Sequence, residues 1–158
     1  MAVDSWQLTP DSYRDGKNNR TSIEFFSNGI SFSLKNKASV KKNILSLIQK
    51  EKKEVGDISF TFCDDKLLLA QNKKFLKHNT LTDIITFQYS SKKLSGEIFI
   101  SIPRIKENAK KFNVTFENEL QRVMIHGILH LCGYKDKTAA KKKEMRKKED
   151  YYLKLAKI

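Results

Sequence analysis

The sequence predicts a single α+β domain: a mixed sheet of four to five strands and a buried, histidine-bearing helix packed among surrounding helices. Three observations lead there. Strand-like and helical runs interleave along the chain, the pattern of helices packed on one sheet. The length, 158 residues, suits one domain and can bury a core without disulfides. One segment near the C-terminus is apolar all round its helical wheel, the mark of a buried helix, yet holds two of the chain's three histidines.

Residues 1–21 are polar and aperiodic, and are expected to form a flexible leader outside a domain spanning 22–158. In the run that follows, IEFFSNGISFSL, Asn28-Gly29 separates two strand-like stretches. That dipeptide accepts the positive φ of a tight turn, so a hairpin is expected. Val40, Ile44, Leu47 and Ile48 repeat at helical spacing over 38–52. DISFTFC (57–63) alternates as a strand, and Asp64 is placed to cap a helix carrying Leu67, Leu68 and Ala70 and reaching towards Phe75. TDIITFQY (82–89) and GEIFISI (96–102) are rich in β-branched and aromatic residues and read as strands. Pro103 opens a short helix ending near 112. A helix from Glu117 to Leu131 stops at Gly133, which suits a left-handed cap, and a basic helix follows over 138–156.

Lys and Arg number 31 against 18 Asp and Glu, a net charge of +13, which favours phosphate-rich partners such as nucleic acid over a merely soluble surface. Two cysteines, Cys63 and Cys132, make no disulfide framework and read as thiols of a reducing, cytoplasmic environment. No apolar run approaches the ~18 residues of a membrane helix, and the start lacks the plan of a secretory leader.

His126 and His130 project from one helix face about a turn apart, so two imidazoles can reach one cation with bonds of ~2.0–2.1 Å. Gly127 is expected to leave room beside the first ligand, and Gly133 reverses the chain so that Asp136 can supply a third. Two imidazoles, a carboxylate and one place for water make an open zinc site able to activate water. A lone buried histidine is ordinarily a hydrogen-bonded core residue; two at this spacing, followed by glycine and a carboxylate, favour a metal. No glutamate follows His126, which argues against the helix-borne metalloprotease machinery, and Cys132 reads as a packing residue.

The stretch HGILHLCGY, His126 to Tyr134, resembles the signature of the YbeY endoribonucleases, bacterial ribosomal RNA maturation factors. Their motif reads His-Gly-any-Leu-His-Leu-any-Gly-Tyr-Asp-His. TDIITF, from Thr82, and GEIFIS, from Gly96, resemble two further family strands in the right order, so the resemblance covers about residues 22–155. It implies a zinc-type metal, metal-dependent cutting of single-stranded RNA, work on precursor ribosomal RNA including the small-subunit 3′ end, ribosome quality control, and contact with ribosomal subunits or proteins. His126 and His130 fall on the first two ligands, and Asp136 stands where the family places a third histidine. Carboxylate oxygen binds zinc at ~2.0–2.2 Å, so the ligand count is kept, while a harder ligand widens the choice to other divalent transition metals. The family's usual arginine six residues before the Thr-Asp strand is Leu76 here; Lys77 and His78 are the neighbours able to replace its charge.

The run Lys141, Lys142 and Lys143 and the pair Lys147 and Lys148 are further candidate RNA contacts, against the plainer reading of a solvated helix face. No general acid is assigned. The rival reading is a basic RNA-binding ribosome-assembly factor with a structural metal and little or no cleavage. An iron oxygenase, which shares the two-histidine-one-carboxylate composition, ranks last.

Overall fold

The computed structural model describes residues 6–7, 22–76 and 82–156. In chain order the elements are β1 (Trp6–Gln7), β2 (Ser22–Ser27), α1 (Lys37–Lys50), β3 (Val55–Cys63), α2 (Asp65–Gln71), a π-helical turn (Asn72–Leu76), β4 (Ile84–Ser90), β5 (Leu94–Ser101), α3 (Ile102–Phe112), α4 (Phe116–Leu131) and α5 (Ala139–Leu155). The strands form one mixed sheet in the order β1-β4-β5-β3-β2. β4 runs antiparallel to β5, and every other neighbouring pair is parallel.

The expected hairpin at Asn28-Gly29 does not form. Gly29 takes the positive φ foreseen, 77°, but the stretch beyond it is not a strand, and β2 pairs in parallel with β3 instead. Parallel neighbours need a crossover, and α1 supplies it. Packing explains the preference: Phe25 stacks on Phe60, 5.6 Å between centroids, while Phe32 leaves the sheet to pack edge-on against Phe62 and Phe116. At the other edge, Trp6–Gln7 lie within the segment expected to be a leader, yet they pair with Phe87 and Gln88. The free edge of β4 offers unpaired backbone groups that an extended dipeptide can satisfy.

The helix starts follow their caps. Asp64, Ser101, Thr115 and Thr138 each accept a backbone N–H from the first turn of the helix they precede. α4 ends as the glycine suggested. Gly133 has φ 106° and its N–H donates to the His130 carbonyl at 3.0 Å, while the Tyr134 N–H donates to the Leu129 carbonyl at 3.1 Å. This paired closure turns the chain back over the helix end.

One sheet face, with Ile58, Phe60, Phe62, Ile84, Ile98 and Ile100, forms the main core with α1, α4 and α5. The opposite face carries a smaller cluster of Cys63, Ile85 and Phe87 with Leu68 of α2. α4 lies in the main core and is buried nearly all round, as expected. Gln88 of β4 donates to the Leu131 carbonyl at 2.9 Å and ties the end of α4 to the sheet. Gly127 corrects the sequence reading. A Cβ there would come within 3.0 Å of Ile84 and 3.1 Å of Ile98, so the glycine lets the helix lie close on the sheet and opens no space beside the ligand.

Candidate metal centre

α4 presents His126 and His130 on its face away from the sheet, and the turn at Gly133 brings Asp136 over them. Each offers one ligand atom to a common point. The two Nε2 atoms are 2.8 Å apart, and Asp136 Oδ2 lies 3.4 Å from His126 Nε2 and 3.5 Å from His130 Nε2. Three atoms at these separations lie on a circle of radius about 1.9 Å, slightly less than a zinc–ligand bond of ~2.0–2.2 Å. His126, His130 and Asp136 are therefore close enough together to hold one zinc-sized ion between them.

The surrounding groups settle which nitrogens face that point. His126 Nδ1 is 2.9 Å from Glu149 Oε2 on α5, and His130 Nδ1 is 3.0 Å from the Tyr134 carbonyl. A carboxylate and a carbonyl can only accept, so both Nδ1 atoms carry hydrogen and both Nε2 atoms of neutral rings turn lone pairs inward. Two lone pairs at 2.8 Å beside a carboxylate repel unless a proton or a metal ion lies between them. Buried imidazoles held this way by outer partners are the usual arrangement of zinc-ligating histidines.

Electrostatics agree. Burial alone would lower the His126 pKa, but hydrogen bonds to Asp136 and Glu149, and their charge, outweigh it and raise the value to about 9. Burial would likewise raise that of Asp136, yet its contacts with the two histidines hold it well below the usual carboxylate range. The site gathers positive charge. Cys132 is not in the group: burial and the nearby charge of Glu51 push its thiol up to about 12, so it stays protonated and packs against the core.

From His126 and Asp136 a cleft of about 300 Å³ runs between α3, α4 and α5, reaching Asp83, Asn108 and Phe112. Lys142 lines it; Lys141 and Lys143 are exposed on the same helix and do not. Lys77 and His78 lie outside the described residues. Sequence reasoning missed Glu149, Arg122 and Arg146. Arg122 Nη1 is 3.2 Å from Glu149, and its Nη2 is 2.9 Å from Asp150. A signal for Glu149 did exist: it falls between Met145 and Tyr152 on the buried face of α5, where a carboxylate needs a partner.

The family model described as Endoribonuclease YbeY matches residues 22–157. The chain belongs to the YbeY endoribonuclease family. It is 50% identical to the Endoribonuclease YbeY of Flavobacterium psychrophilum over 131 residues, 82% of this chain and 94% of the relative. Against the Endoribonuclease YbeY of Amoebophilus asiaticus it is 43% identical over 136 residues, 85% of this chain and 92% of the relative. A solution structure of a Thermotoga maritima protein matches with a TM-score of 0.58 at 30% identity, covering 85% of this chain and 89% of that one. YbeY membership fits the mixed α+β architecture and the histidine helix. Among the described residues, no helix is long and apolar enough to cross a membrane.

Proposed function

We propose that the chain is a cytoplasmic, zinc-dependent endoribonuclease that hydrolyses single-stranded RNA, with precursor ribosomal RNA as its substrate and ribosomal components as its surroundings. Family membership supports the reaction class. The observation that carries the metal is the inward convergence of both Nε2 atoms on Asp136, with both Nδ1 atoms already engaged. A zinc ion bound there would polarise a phosphoryl oxygen and make water a better nucleophile.

The remaining steps belong to the chain's own residues. Glu149 and the Tyr134 carbonyl hold the two rings with both Nε2 atoms turned towards Asp136, which would present them to the ion. Arg122 sits one helical turn before His126 and lines the cleft with Lys142 and Arg146, which supports contact with the phosphates flanking the scissile one. Phe112, half-exposed at the cleft's outer end, offers a ring on which an unpaired base can stack. A recess of about 300 Å³ takes a nucleotide of a flexible strand more readily than a stiff duplex, which favours single-stranded substrate.

The test is cleavage of a labelled single-stranded RNA and of its duplex by the zinc-loaded protein, beside His126→Ala. Single-strand cleavage that is lost in the variant while RNA binding persists supports hydrolysis. Wild-type binding without product, at any divalent metal, replaces the reading with that of an RNA-binding assembly factor carrying a structural metal.

A further inference from the structure

Glu51 lies far from the histidine motif in sequence, at the C-terminal cap of α1, and has no role in the reading above. Three side chains converge on its carboxylate. Tyr134 Oη donates to Oε2 at 2.8 Å, Tyr152 Oη donates to Oε1 at 2.6 Å, and Lys148 Nζ donates to Oε1 at 3.0 Å. Lys148 also stands 5.4 Å from the Tyr134 ring centroid, so the same cation braces that tyrosine from a second side. The Glu51 side chain is only 10% exposed, so these are sheltered, charge-assisted bonds.

What Tyr134 does at its other end gives the cluster its consequence. Its carbonyl accepts the His130 Nδ1 hydrogen, and two residues further on stands Asp136. The turn from Gly133 to Asp136 thus supplies one ligand and orients another. Its backbone closure with α4 fixes where it starts, and the phenol on Glu51 fixes where it goes. We propose that Glu51 is a positioning residue for the metal centre, acting through Tyr134 to hold the turn that orients His130 and carries Asp136. The proposal rests on the metal reading above. Outer partners of metal ligands typically govern affinity by 10–100-fold, and Glu51 acts one bond further out, so an effect near the lower end, about 10-fold, is expected.

The experiment is cobalt(II) titration of the metal-free full chain, read by the visible absorption of the bound ion, for wild type, Glu51→Gln, Tyr134→Phe and the double variant. Each single variant is expected to weaken cobalt binding about 10-fold and alter the spectrum, and the double to be no worse than either single, because both cut one connection. Tyr152→Phe, which removes a bond to the same carboxylate but leaves Tyr134 in place, should lower thermal stability with less effect on affinity. Folded single variants that bind cobalt as wild type does overturn the proposal and leave the metal reading standing. Wild type that binds no cobalt overturns both. If Glu51→Gln fails to fold, Tyr134→Phe, which deletes one oxygen, decides alone.

Discussion

At His126 two opposed effects meet: burial disfavours the imidazolium, and two carboxylates favour it more strongly, giving a pKa of about 9. Metal must displace that proton at neutral pH. Zinc affinity should therefore rise about tenfold per pH unit up to about pH 9 and then level off, with close to one proton released per ion bound at pH 7. Calorimetry in buffers of different ionisation enthalpy measures that release; affinity independent of pH between 6 and 8 would be inconsistent with it. Glu119, buried in the cleft, has its pKa raised by burial first and the charge of Asp83 next. A raised carboxyl contributes stability only while protonated and loses it as pH rises through the folded pKa. Glu119→Gln should then unfold at higher urea than wild type at pH 7, with the gain shrinking towards pH 4. Glu51 has the opposite sign: its three donors outweigh burial and lower its pKa, so its contribution is lost as pH falls below the ordinary value of 4.5. The convergence of His126, His130 and Asp136 was legible because their spacing along one helix and turn is itself the geometry. Glu149 and Glu51 were not, because their partners lie 23 and 83 residues away and only folding brings them together.

At the level of elements, α4 was the most legible, since an all-round apolar helix must be buried and Thr115 and Gly133 mark its ends. Its close seat on the sheet was invisible, because the residues that touch Gly127 come from β4 and β5. Gly127→Val should overpack Ile84 and Ile98 and cost about 1–3 kcal/mol in chemical denaturation, whereas a position merely beside the ligands would tolerate it. The hairpin expected at Asn28-Gly29 shows the limit of local turn signals. The turn chemistry was right, but the choice between a serine-interrupted run and the longer apolar β3 was made by burial. Pairing by register across a crossover leaves no trace in a short window of sequence.

For the whole molecule, a net charge of +13 surrounds a cluster of two histidines and a carboxylate that could hold a metal ion. Under the proposed function the charge holds RNA and the centre cuts it. Affinity for single-stranded RNA should fall with salt, and Lys142→Ala should reduce the log–log slope by about 0.7, the value for one lost phosphate contact on a single strand. Lys141→Ala, outside the cleft, should reduce it less. The fold class and the reaction class were legible as a whole because the chain's histidine motif and its two strand motifs stand in order. The cleft was not, because its walls come from three helices separated in sequence. Whether His126, His130 and Asp136 together hold one metal is read by mass spectrometry of metal content after zinc reconstitution. About one zinc per wild-type chain is expected, and almost none in folded Asp136→Ala. Wild type without metal, or a variant that keeps its full complement, would contradict that expectation.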